Sequence, residues 1–257
     1  MTQPLPALFI AHGNPMNALA DNSYTQTLTR LGQQLPTPTA ILMISAHWQT
    51  DGTQVASSAQ PRTIHDFGGF PPELFAQQYP ARGAPTLAKT IRQLLPKVTE
   101  NADMGLDHGA WTVLKFLYPQ ANIPVLQLSL DYRLSPAAHY ALAQALQPLR
   151  EQGVLIIGSG NIVHNLRAIR WENAEIAPYS WAIAFDKQVQ QWLLNRDHAA
   201  LINYQQLGEA ARLSVPTQEH YLPLLYITAL QRVTEKAHLF HTGFEYASIS
   251  MLSCSMA

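Results

Sequence analysis

A three-layer α/β/α sandwich around a central, mostly parallel sheet is the fold that this 257-residue sequence predicts, and two patterns predict it. Short apolar runs alternate with longer stretches of helical periodicity, the signature of strands that cross over through helices into a buried sheet. The last two runs have no helix between them, so they read as an antiparallel hairpin and make the sheet mixed. With 47% apolar residues, a chain of this length buries a core as one domain over residues 1–257 without disulfides.

Taken in order, the first strand is 7–11 (Ala-Leu-Phe-Ile-Ala), a continuous apolar run that stops at His12. A helix over 23–34 leads to a second strand at 40–46, and the proline-rich patches at 35–38 and 70–72 are loops between elements. A third strand at 53–57 is followed by helices at 84–95 and 110–117. The run Pro-Val-Leu-Gln-Leu-Ser-Leu (124–130) is a fourth strand, and Ser135-Pro136 places an N-cap and first helical residue at the head of a helix over 135–149. Gly-Val-Leu-Ile-Ile-Gly (153–158) is a fifth strand. Helices at 178–194 and 217–231 then precede the closing strands at 237–242 and 247–252.

Composition excludes several function classes. Sixteen Lys and Arg against seventeen Asp and Glu give a net charge of −1, which leaves no electrostatic excess for nucleic acid or a membrane surface. No stretch approaches the ~20 apolar residues of a membrane span. The lone Cys254 forms no disulfide framework, and residues 1–11 lack the flanks of a signal peptide, so a cytoplasmic protein is expected.

The unusual count is ten histidines against five lysines, and their placement is organised. His12 and His47 end the first two strands, and His164 follows the fifth through Gly-Ser-Gly-Asn161. His108 lies in Leu-Asp-His-Gly-Ala-Trp just before a helix. Ligands gather outside the carboxyl ends of the strands in an open α/β sheet, so these residues can converge on one crevice despite their separation in sequence. His65, in the Gly-rich loop Ile-His-Asp-Phe-Gly-Gly-Phe-Pro-Pro, and His220, at the expected first turn of the last helix, belong with them. His139, His198, His238 and His241 have no such setting and read as surface or packing residues. Other motifs fail: Val163 replaces the third glycine of a dinucleotide fingerprint, Ser159 has no Gly-x-Ser-x-Gly elbow, and no His-Glu-x-x-His pair exists.

The motifs Ile-Ala-His12-Gly-Asn-Pro, Ile-Ser-Ala-His47-Trp48, Ile-His65-Asp66-Phe-Gly-Gly-Phe-Pro, Leu-Asp-His108-Gly-Ala-Trp, Gly-Ser-Gly-Asn161-Ile-Val-His164-Asn and Glu219-His220-Tyr-Leu-Pro-Leu together resemble the 4,5-DOPA extradiol dioxygenases of the class III, LigB-like ring-cleavage superfamily. The resemblance covers nearly the whole chain. It implies one divalent metal ion per chain, Zn2+ or Fe2+, held by His12, His47 and a third ligand from the C-terminal region. His220 is the expected third ligand, with Glu219 as the alternative, since an Fe(II) site of two histidines and a carboxylate is common whereas an all-imidazole set suits zinc at least as well.

The resemblance also implies that His164 is the acid–base residue, or a fourth ligand, and that His108 partners a substrate hydroxyl. His65, Asp66, Trp48 and Asn161 are the expected substrate-side residues. The implied activity is insertion of O2 into a catechol such as DOPA, with 4,5-cleavage to a muconic semialdehyde-type product. A catechol suits such a site because its adjacent oxygens chelate a divalent metal, which lowers their pKa. A zinc hydrolase and a metal-binding protein without turnover are the alternatives on the same fold.

Overall fold

The computed structural model of the chain describes residues 4–257. In chain order the elements are β1 (Ala7–Ala11), α1 (Ser23–Gln34), β2 (Ala40–Ser45), β3 (Gln49–Thr50), β4 (Gln54–Ala56), α2 (Pro72–Phe75), α3 (Pro85–Leu94), β5 (Thr99–Asn101) and α4 (His108–Leu117). There follow β6 (Val125–Gln127), β7 (Leu130–Asp131), α5 (Pro136–Gln144), α6 (Gln147–Glu151), β8 (Val154–Gly160), α7 (Ser180–Leu194), α8 (His198–Ile202), α9 (Glu209–Ser214) and α10 (Leu222–Ala229). The chain closes with β9 (Ala237–His241), β10 (Phe244–Glu245), β11 (Ile249–Ser250) and β12 (Ser253–Met256).

The central sheet runs β6-β2-β8-β1-β12-β9. Its first four strands are parallel, β12 is antiparallel to β1, and β9 is antiparallel to β12. Strands β1, β2 and β8 are buried along their whole length, which is why they read as continuous apolar runs rather than alternating ones. Successive side chains nevertheless go to opposite faces. Phe9, Leu42, Ile44 and Ile156 pack with residues of α5, α7 and α10, while Leu8, Ile10, Met43 and Ile157 pack with residues of α1 and α4. Helices therefore cover both faces, as the sequence pattern predicts.

Four boundaries differ from expectation, each for a local reason. The helix expected over 135–149 breaks into α5 and α6, because Pro148 has no N–H with which to continue α5. The helix expected from 217 begins at Leu222, where Pro223 occupies the first turn, the one place its missing N–H costs nothing. The strand expected at 247–252 is displaced: β12 pairs β9, and the short β10–β11 hairpin lies between them. Small polar side chains suit β12, where the Ser253 hydroxyl accepts the N–H of Ala11 at 3.0 Å and so serves the end of β1. The strand expected at 53–57 forms β4, which pairs β5 outside the main sheet, and the run at 124–130 splits into β6 in the main sheet and β7, which pairs β3. Among the described residues no helix is long and apolar enough to cross a membrane.

Candidate metal centre

The carboxyl ends of β1, β8 and β2 lie side by side, with β8 in the middle. His12 follows β1 directly and His47 follows β2 by one residue, while His164 comes four residues after β8 and His108 is the first residue of α4. Asp107 caps α4, accepting the Ala110 N–H at 3.1 Å, and this fixes where His108 emerges. His220 is carried in from the C-terminal half on the turn before α10, and the Asn161 N–H donates to its carbonyl at 2.9 Å. Gly160 allows that approach, because a Cβ there would collide with the His220 carbonyl. The Gly-Ser-Gly run thus serves close packing of the His220 turn against β8.

The three imidazoles converge. The Nε2 atoms of His12 and His47 are 3.0 Å apart, and His12, His47 and His220 each offer a ring nitrogen within 4.8 Å of the others. His12 and His220 are buried, and His220 Nε2 has no hydrogen-bond partner in the protein. A buried polar atom left unsatisfied costs about 1–3 kcal/mol, and a cation bound between these nitrogens removes that cost. Burial, reinforced by the neighbouring imidazoles, holds His12 and His220 well below the ordinary histidine pKa. Burial and His108 do the same to His47, against an opposing pull from Asp66. All three are therefore neutral at pH 7, the form that ligates a metal.

Each of these rings has a partner for its other nitrogen. His12 Nδ1 lies 2.9 Å from the Ser159 hydroxyl. His220 Nδ1 donates to Glu219 Oε1 at 3.1 Å, and the Thr217 hydroxyl donates to the same oxygen at 2.8 Å. His47 Nδ1 is 3.7 Å from Asp66 Oδ2. Such partners orient metal-binding histidines and select which nitrogen faces the metal. Glu219, the alternative ligand of the sequence reading, turns its carboxylate to the far side of the His220 ring. Two further trios share histidines with the first, His47 with Asp66 and His108, and His164 with Glu219 and His220.

The acid–base candidates border this cluster. His164 stacks on His220 with ring centroids 3.5 Å apart and planes 8° from parallel. Burial and the nearby His108 lower its pKa to about 4. His108 Nδ1 donates to Asp66 Oδ2 at 3.0 Å, and the His108 backbone N–H donates to Asp66 Oδ1 at 2.9 Å. Desolvation opposes ionisation of Asp66, but these bonds and the charges beside it bring its pKa down to about 2. Asp66 thus fixes the His108 ring through its Nδ1 side.

The expected substrate-side residues divide. Asp66 belongs to the cluster through His108 and His47. His65 donates from Nε2 to the Gln77 carbonyl at 3.0 Å and stands edge-on to Phe67, which in turn stands edge-on to His108. His65 thus backs an aromatic wall made by Phe67. Trp48 and Asn161 require correction. Trp48 is only 7% exposed and packs into the core, while Asn161 is buried and spends its amide on the Ser250 carbonyl at 2.9 Å. Both sit at turns that follow strands, where local sequence does not reveal which way a side chain faces.

Sequence reasoning passed over Ser159, the orienting role of Glu219, and Glu245, which accepts the Asn14 N–H at 3.2 Å and the Asn17 amide at 2.8 Å in the turn after His12. The available signals were a serine between two glycines at the end of an apolar strand and an acid adjacent to a candidate ligand. A separate cavity of about 470 Å³, lined by Leu95, Val98, Leu134 and Leu142, contains none of the histidines. The Arg133 beside it is already paired with Asp51 and Asp131.

Comparison with known proteins gives the family of the chain. The family described as the catalytic LigB subunit of aromatic ring-opening dioxygenase matches residues 6–255. A 4,5-DOPA dioxygenase extradiol of Escherichia coli (strain K12) is 44% identical over 255 residues, spanning 97% of this chain and 93% of that one. The protein of the same name from Beta vulgaris is 38% identical over 245 residues, spanning 92% of this chain and 91% of its own. The crystal structure of an uncharacterized protein from Escherichia coli K12 superposes with a TM-score of 0.86 at 40% identity, covering 98% of this chain and 100% of the other.

Proposed function

Because the chain belongs to the LigB family of aromatic ring-opening dioxygenases, matched over nearly its whole length, we propose that it cleaves a catechol of the DOPA type at the 4,5-bond, using O2 and one metal ion held by His12, His47 and His220. The protein is an extradiol dioxygenase by family. The observation that carries the reading of its site is the convergence of three neutral imidazoles within 4.8 Å, two from strand ends and one from the turn before α10, that the sequence keeps far apart. The zinc hydrolase and the binding protein without turnover find no support among the relatives, which are named as dioxygenases.

A divalent metal bound here supplies a chelation point for both catechol oxygens and an electronic route from the ring to O2, for which Fe2+ is the competent ion, while Zn2+ fits the same imidazoles. The chain's own residues do the rest. Nε2 of His108 hydrogen-bonds a substrate hydroxyl, and Asp66 holds the ring in place through Nδ1. His164, neutral at pH 7, takes the phenolic proton and returns it later in the reaction. The stacking of His164 on His220 supports this role over that of a fourth ligand. Stacked parallel at 3.5 Å, His164 directs its in-plane lone pairs along a plane offset from that of His220 rather than toward the His220 nitrogens. Phe67, backed by His65, offers the aromatic ring an apolar face. The net charge of −1 supports a small-molecule substrate over nucleic acid or a membrane surface, and a lone buried cysteine supports a cytoplasmic site of action.

The test is to load metal-free protein with Fe2+ under nitrogen, add DOPA, and admit air. Oxygen uptake with a yellow ring-fission product is the expected result. Stoichiometric iron with neither signal across a panel of catechols rejects the substrate assignment.

A further inference from the structure

Ser159 sits where both ligand-bearing strands meet. In β8 it pairs with Ile10 of β1 on one side and Ser45 of β2 on the other. Its carbonyl accepts the N–H of Ala46, the residue before His47, at 3.0 Å, and its side chain faces His12 Nδ1 at 2.9 Å. The same hydroxyl lies 2.6 Å from the Gly109 carbonyl in the first turn of α4. All of this is sealed from solvent, with Ser159 fully buried and His12 2% exposed.

A hydroxyl has one proton, and a carbonyl oxygen has none to give. At 2.6 Å the Ser159 proton must lie toward Gly109, since two buried oxygens cannot hold that separation without a proton between them. The Ser159 oxygen then faces His12 Nδ1 with lone pairs only. His12 satisfies it by carrying its proton on Nδ1, which leaves Nε2 bare, accepting from His47 Nε2 at 3.0 Å in the metal-free protein and facing the His220 ring. The opposite tautomer sets two lone pairs against each other and places a proton where a cation would sit.

We propose that Ser159, anchored by the Gly109 carbonyl, is a positioning residue that locks His12 in its metal-binding tautomer before any metal arrives. This rests on the reading of His12 as a ligand. The choice of a neutral hydroxyl differs from the carboxylates that serve His220 and His47. It fixes a tautomer without adding negative charge to a site that must stay attractive to a two-oxygen anionic substrate.

The test is nitrogen NMR of metal-free protein labelled with 15N-histidine at neutral pH, with His12 assigned by loss of its signals in His12→Gln. His12 is expected to show a protonated Nδ1 and a bare Nε2. Ser159→Ala is expected to populate the Nε2–H form and to weaken zinc binding about 10–100-fold, with Ser159→Thr restoring both. A wild-type His12 protonated on Nε2 overturns the proposal, as does a folded Ser159→Ala protein with unchanged tautomer and zinc affinity. The wild-type spectrum decides the point even where a variant fails to fold. Failure of the metal reading itself is seen separately, as absence of zinc uptake by the wild-type protein.

Discussion

His12 and His47 at strand ends, His220 on the turn before α10, and His139 on α5 all have a pKa lowered chiefly by desolvation, yet they belong to different kinds of region. His139 is fully buried, takes a hydrogen bond with the Tyr226 hydroxyl at 2.9 Å through Nδ1, and leaves Nε2 without a partner. His220 Nε2 is equally unpartnered. What separates them is company: the His220 ring lies against two other converging imidazoles, whereas the ring against His139 is that of Tyr226. On the proposed reading, an orphaned buried nitrogen is therefore a packing cost in one region and a metal ligand in the other, and only convergence tells them apart.

The sharpest way to break this contrast is to remove a converging ring. His220→Ala is expected to lose stoichiometric metal, measured by elemental analysis of purified protein, and to reduce ring cleavage to background. Retention of one metal per chain would dissolve the distinction. Next in size is His164→Gln, expected to keep its metal while kcat falls about 10²–10⁴-fold, the usual worth of a positioned acid–base group. Glu219→Gln follows, with metal affinity weakened about 10–100-fold in a chelator competition and little change in kcat once the site is saturated.

His139→Phe gives the smallest functional effect. Its metal content and kcat should match wild type, with a change in unfolding free energy within about 1–3 kcal/mol by urea titration. It also carries a pH signature. Burial lowers His139 to about 4, so between the ordinary value near 6.5 and pH 4 the unfolded chain binds a proton that the folded chain refuses. Stability falls as pH drops through that window. His139→Phe should flatten part of the decline, and an unchanged profile between pH 7 and 4 would remove His139 from the account.

Much of this was legible in the sequence because the signals are local. The strands carrying His12 and His47 end where their apolar runs end, and both rings follow directly. His108 could be placed just ahead of an expected helix. The partners were not legible, because each is a contact across more than forty residues or a choice of face. Asp66 meets His108 through a loop with no regular structure, and Ser159 reads as one more small residue in a buried strand. Trp48 misled for the converse reason, since its neighbour His47 faces the cluster while Trp48 packs into the core. The displaced last strand shows the same limit: Ser253, Cys254 and Ser255 have little strand character of their own, and their place is set by β1 and β9.

The order of the sheet also bears on how the protein is made. Strands β1 and β2 do not touch each other, since β8 lies between them and pairs with both. A nascent chain that has released residues 1–50 already exposes two of the three imidazoles, but the strand that aligns them emerges more than a hundred residues later. At the pace of translation that is a delay on the order of ten seconds. The first half of the chain thus leaves the ribosome before β8 is there to hold His12 beside His47.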